Sequence, residues 1–218
     1  MVKRKGGSNI ISQFDEVPDK YEDEVLEAYA IITEESGDFY LKQMKKFFNQ
    51  LSIPKCFTSD IVECVDSFYA LQGSLYASTS QKRDIILQMV LAFTITGSIT
   101  NDDDIIDIID VDKLIKYSNR LLKYRDNFNV IKETWKLFVS DDNFISAKLS
   151  LPELQKIKQS LNLDPSSLND GLLIDMLSSC KTDEEGTMHN FDLGKSSNGL
   201  YINIKDFACI LGNLGEFD

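Results

Sequence analysis

Leu149-Ser150-Leu151-Pro152-Glu153-Leu154 and Tyr201-Ile202-Asn203-Ile204-Lys205-Asp206-Phe207 share one form. An apolar residue (Leu149, Ile202) is followed four positions later by an acidic one (Glu153, Asp206). An apolar anchor (Leu154, Phe207) comes next and opens a helical run. The phrase reads as the end of a loop and the start of a helix. Its recurrence predicts a repeated helix-loop-helix unit.

Working outward, the same helix face returns. Met44, Phe47, Phe48 and Leu51 lie at offsets 0, 3, 4 and 7, as do Ile86, Met89, Val90 and Phe93, and Phe207, Ile210, Leu211 and Leu214. Leu154, Ile157 and Leu161 give 0, 3 and 7, with Lys158 at the missing place. Each set makes one apolar stripe on a helix. An apolar residue precedes three of the anchors by five positions (Phe39, Leu149, Ile202), whereas the second copy has Gln81 there. Incoming helices fit before these units. Ile131, Trp135 and Phe138 share a face, as do Leu172, Leu173, Met176, Leu177 and Cys180, and Ile61, Val65 and Phe68. Pro18 and the acidic turn Tyr21-Glu22-Asp23-Glu24 open the first helix, which carries Val25, Leu26, Tyr29 and Ile32.

The expectation is an all-α fold of four such units in two pairs. Any helical bundle shows faces of this kind, so the five-residue offset carries the distinction. Residues 1–18 read as a flexible charged tail, 19–98 as an N-terminal lobe and 99–126 as an acidic linker with a connecting helix. Residues 127–218 read as a C-terminal lobe with an inserted polar loop at 182–199, expected to be a solvated surface loop.

Composition narrows the function. The chain has 218 residues, 43% of them hydrophobic, and a net charge of -12. A chain of that size and apolar content builds a core. The negative charge argues against a dominant direct contact with DNA or RNA, where Lys and Arg supply most of the affinity, and favours a basic partner. Cys56, Cys64, Cys180 and Cys209 form no CxxC and are expected as reduced thiols. A single histidine, His189, weakens both metal and general-base chemistry. No apolar run has the length of a membrane span. Lys3-Arg4-Lys5 is short and reads as part of a solvated tail. No G-x-S-x-G, P-loop or GxGxxG is present, so an enzyme is disfavoured.

The repeated unit has the frame of an EF-hand, whose loop needs oxygen ligands at positions 1, 3, 5 and 12 and a Gly at 6. Position 12 falls on Gln43, Ile85, Glu153 and Asp206 in the four units. Gln43 lacks the charge, Ile85 does not ligate, and Asp206 is one methylene short of Glu. Asp141-Asp142-Asn143 lies out of register, and Asp102-Asp103-Asp104 is interrupted by Ile105, Ile106, Ile108 and Ile109 without the turn Gly. Asp183, Glu184, Glu185 and Asp192 suit at most a loosely held cation. No metal and no cofactor are expected.

Over residues 20–218 the chain resembles the calmodulin and centrin superfamily. Glu22-Asp23-Glu24-Val25-Leu26-Glu27-Ala28-Tyr29-Ala30 and the run Tyr201 to Gly215, together with the degenerate loops, are similar to a fungal centrin-like accessory protein of nucleotide excision repair. That resemblance implies a nuclear protein that binds a xeroderma-pigmentosum-C-type damage-recognition factor, with DNA reached only through this partner. The mode expected is an open helical pair whose apolar groove takes an amphipathic helix by its i, i+3/i+4, i+7 anchors. The candidate groove residues are Trp135, Phe138, Leu154, Ile157, Leu161, Leu173, Met176, Leu177, Phe207, Ile210, Leu211 and Leu214. Trp135 and Met176 are preferred, because aromatic and Met side chains dominate such grooves. Ordinary core packing competes for every one of these positions. A calcium-regulated sensor of another target is the alternative.

Overall fold

Pro18 and two first-turn carboxylates, Asp19 and Glu22, start helix α1 (Asp19–Ser36). Gly37, at φ 77°, ends it by sending its N–H to the Thr33 carbonyl. The computed structural model describes residue 14 and residues 16–71, 80–98, 104–139, 143–162, 169–178, 188–196 and 200–217. These are mostly helical. After α1 come α2 (Met44–Gln50), α3 (Ser59–Ala70), α4 (Ser80–Phe93), α5 (Val111–Asp126) and α6 (Phe128–Trp135). Strand β1 (Leu149–Ser150), α7 (Leu151–Ser160), α8 (Asp170–Ser178), β2 (Tyr201–Ile202) and α9 (Ile204–Asn213) follow.

The doubled phrase opens a helix in each copy, α7 after Ser150 and α9 after Asn203. β1 and β2 pair antiparallel, with Leu149 opposite Ile202. Helix α6 packs along α9, and α7 along α8. All four residues of each complete apolar set before residue 100 are buried: Met44, Phe47, Phe48 and Leu51, then Ile86, Met89, Val90 and Phe93.

The N-terminal half departs from expectation at its second unit. The partner of the segment after α1 is not near Gln81, which lies inside α4. Tyr40 bridges Ile108 and Thr94 bridges Ile109. Ile109 N–H donates to the Phe39 carbonyl at 2.7 Å, and Asp110 N–H to Phe93 at 2.8 Å. The helix that follows this extended segment is α5. Leu114, Tyr117, Ser118 and Leu121 are all buried on it, at offsets 0, 3, 4 and 7. Ile109 stands five positions before Leu114. The stretch read as a linker therefore contains a pairing segment and a core helix, and α3 is an additional helix. The acidic run 101–104 hides this segment in the sequence, and the polar side chain of Ser118 fills one place of the α5 stripe.

Helix α5 is tied to α1 rather than standing between lobes. Arg125 pairs with Glu24 and donates to the Leu51 carbonyl at 2.9 Å; Tyr21 donates to Asp126 at 2.9 Å. One cluster of buried side chains runs from Phe14 to Cys209.

Two polar segments also prove partly structural. Phe14, read as tail, is buried against Tyr124 and Phe217, and any side chain on Gly212 would collide with its ring. Lys123 donates to the Glu16 carbonyl at 2.9 Å and also to that of Phe14. Within 182–199, Phe191 is fully buried and packs on Phe93 and Tyr117. His189 is buried beside Arg120, and its carbonyl accepts from Tyr117 Oη at 2.6 Å. The stretch is polar in composition, but its described residues His189 and Phe191 plug a gap between α3, α4 and α5. The expectations placed on Lys3-Arg4-Lys5, Asp102-Asp103, Asp141-Asp142, Cys180 and Asp183 to Glu185 lie outside the described residues.

Candidate partner-binding surface

The groove candidates separate into two groups. Trp135, Leu154, Leu173, Leu177 and Phe207 are buried. Trp135 is completely so: its indole N–H donates to the Phe144 carbonyl at 2.8 Å, and its ring lies 5.1 Å from that of Phe207. It is a core residue here, not the groove side chain expected. Ile157, Ile210 and Leu211 are half-buried against the same core. Phe138, Leu161, Met176 and Leu214 are exposed, Leu161 by 61% and Leu214 by 65%. Met176 lies at the surface.

Sequence reasoning passed over two exposed neighbours, Leu137 and Ile174. The signal for Ile174 was present. Leu172, Leu173 and Ile174 run consecutively, so α8 is apolar around its circumference, whereas one face suffices to reach the core. Leu173 and Leu177 take the inner face, and Leu172, Ile174 and Met176 remain outside. Exposed apolar residues clustered on neighbouring helices mark interaction surfaces; singly they mean little. Asp170 and Asp175 on α8 are exposed, but Lys156 on α7 is too, so the rim is mixed.

The loop-end residues that a calcium site would use are occupied. Gln43 Oε1 accepts the Tyr40 N–H at 2.8 Å, Glu153 Oε2 accepts that of Ser150 at 2.7 Å, and Asp206 Oδ2 that of Asn203 at 2.9 Å. Glu153 and Asp206 reach back three residues to the N-cap of the helix they open, and Gln43 does so to Tyr40, the cap of the 3-10 turn Leu41–Gln43 that leads into α2. The Ser150 hydroxyl also donates to Glu153, and this bond, working against slight desolvation, holds the Glu153 carboxyl below the usual range. Among the described residues no group of three or more His, Cys, Asp or Glu is placed to hold a metal ion.

A second feature lies where α3, the turn before β1 and the start of α9 meet. A cleft of about 330 Å³ opens there, with Asp60, Glu63, Ile145, Lys148, Ile204 and Lys205 among its walls. Lys205 Nζ lies 2.6 Å from Asp60 Oδ2, and both residues are buried. The Phe191 N–H donates to the same oxygen at 2.9 Å. Cys56 also lines the cleft, and burial pushes its thiol up to about 12.

Fold and surface define a mostly helical protein with exposed apolar side chains on its C-terminal helices. The chain belongs to the Rad33 family: the model of that family, described as Rad33, matches residues 11–166. A relative from Saccharomyces cerevisiae (strain ATCC 204508 / S288c), named DNA repair protein RAD33, is 31% identical over 160 residues. The match covers 64% of this chain and 80% of the relative. No solved structure matches. The family match ends before α8, β2 and α9, so Leu161 and α7 lie within it and Met176 and Leu214 beyond it.

Proposed function

We propose that the chain is a non-catalytic DNA-repair subunit of the nucleus that holds an amphipathic helix of a xeroderma-pigmentosum-C-type damage-recognition factor. The observation that carries this reading is the exposed set Phe138, Leu161, Met176 and Leu214 in the C-terminal half, with the Phe138 ring 5.5 Å from that of the buried Phe207. Membership in the Rad33 family, and a relative named as a DNA repair protein, support the pathway. The pairing of Leu149 with Ile202, and the crossed packing of α6 on α9 and α7 on α8, support two degenerate EF-hand units in the C-terminal half. Ile108 and Ile109, paired with the segments after α1 and α4, support a second such pair before it. The units hold their frame with Gln43, Glu153 and Asp206 as helix caps, which favours binding that does not wait for calcium. The net charge of -12 favours a basic target helix and disfavours direct contact with DNA.

The test is a titration of the full chain with a helical peptide from the damage-recognition factor. Leu161→Asp and Met176→Asp place charges on exposed positions, so the fold tolerates them. Each is expected to weaken binding about tenfold or more, with the melting temperature unchanged. Undiminished binding in both would remove this surface from the account.

A further inference from the structure

We propose that the cleft between α3, the turn before β1 and the start of α9 is a pocket for an arginine side chain of a partner polypeptide. It is a site separate from the apolar face and does not rest on the reading of that face.

Asp60 forms one wall of this cleft. Its Oδ2 receives both Lys205 Nζ, at 2.6 Å, and the Phe191 N–H, at 2.9 Å. Its Oδ1 is buried and accepts no hydrogen bond among the described residues, although the residue is only 7% exposed and lines the cleft. A buried carboxylate oxygen without a donor is costly, and a group that enters and donates to it gains what the fold leaves unmade.

Glu63 lies one turn further along α3, on the same side of the helix and on the same cleft. It is exposed and forms no ion pair among the described residues. Asp60 shares its charge with Lys205 but keeps one oxygen without a donor, and Glu63 adds a second carboxylate at the mouth; together they suit a cation bearing several N–H donors. Competing cations on the walls are already engaged. Lys205 is neutralised by Asp60, and Lys148 is turned over the Tyr201 ring, 4.2 Å from its centre. Ile145, half exposed, and Ile204, buried, supply apolar contact for an aliphatic stem. A planar guanidinium on a three-carbon stem satisfies these demands together: donors in a fork for two carboxylates, weak hydration, and methylene groups for the isoleucines. The acidic chain favours a basic polypeptide as the source.

The experiment is an NMR titration of the isotope-labelled full chain with N-acetyl-arginine amide and, in parallel, with its neutral isostere N-acetyl-citrulline amide. The expected result is saturable shifts at Ser59, Glu63 and Ile204 with the arginine compound alone. Glu63→Gln, an exposed change that leaves the fold intact, is expected to weaken this binding about tenfold, the scale of one charge-assisted hydrogen bond. A capped Ala-Arg-Ala peptide is expected to bind at least as well as the single residue. Equal shifts with citrulline, no effect of Glu63→Gln, or a silent cleft that holds only water would overturn the pocket. Exclusion of the peptide while the free amide still saturates would overturn the polypeptide source.

Discussion

Trp135 shows how a single residue divides between stability and binding. Its type and position suit a groove, yet it has no exposed surface and its N–H is satisfied by the Phe144 carbonyl. Trp135→Ala is therefore expected to cost about 3–5 kcal/mol of stability through the cavity it leaves. Chemical denaturation checks this, and a change below about 1 kcal/mol would show the ring to be peripheral. Met176 looked equivalent in sequence and lies outside. Periodicity places a residue on a helix face but does not reveal whether that face is covered. For the same reason Phe191 was illegible: one aromatic inside a polar run carries no period, and only the fold shows the gap it fills between Phe93 and Tyr117.

At the scale of elements, the doubled phrase was readable because each copy encodes its own boundary. Leu149 and Ile202 meet, and Glu153 and Asp206 cap the helices they open. The segment before α5 is hard to read in sequence, because Asp102, Asp103 and Asp104 dominate its composition and Ile108 and Ile109 stand together without a helical period. They are the pairing segment itself. The Glu153 cap has a pH signature. Its carboxyl titrates below the ordinary value in the folded chain, chiefly through the Ser150 hydroxyl. A lowered acid contributes stability that is complete above the unfolded value and is lost as pH falls through the folded one. NMR titration of the Glu153 side-chain carboxyl is expected to give a midpoint below that of a free glutamate, and Ser150→Ala to return it upward. An ordinary midpoint in the unaltered chain would show that the cap is not formed in solution.

Across the whole molecule, the two halves share a core instead of hanging on a connector. The buried Lys205–Asp60 pair joins residues 145 positions apart, α9 to α3, and Phe191 and Phe14 seal other seams. Breaking such a pair from one side strands the other charge. Lys205→Met alone is expected to lose about 3–5 kcal/mol, and Asp60→Leu added to it to recover part of the loss. Thermal unfolding of the single and double variants reads this directly; equal melting temperatures for Lys205→Met and the unaltered chain would show the halves to be independent here. Chain charge and the single His carry the expectation of a binding protein, but a contact between residues 60 and 205 has no local trace in sequence. In the proposed function, exposed apolar residues of the C-terminal helices hold a partner helix without calcium. Calorimetric titration of the full chain with the damage-recognition peptide, in chelator and again in excess calcium, tests it most directly. Equal affinity in both, with a negative heat-capacity change from apolar burial, is the predicted result; binding that appears only with calcium would contradict it.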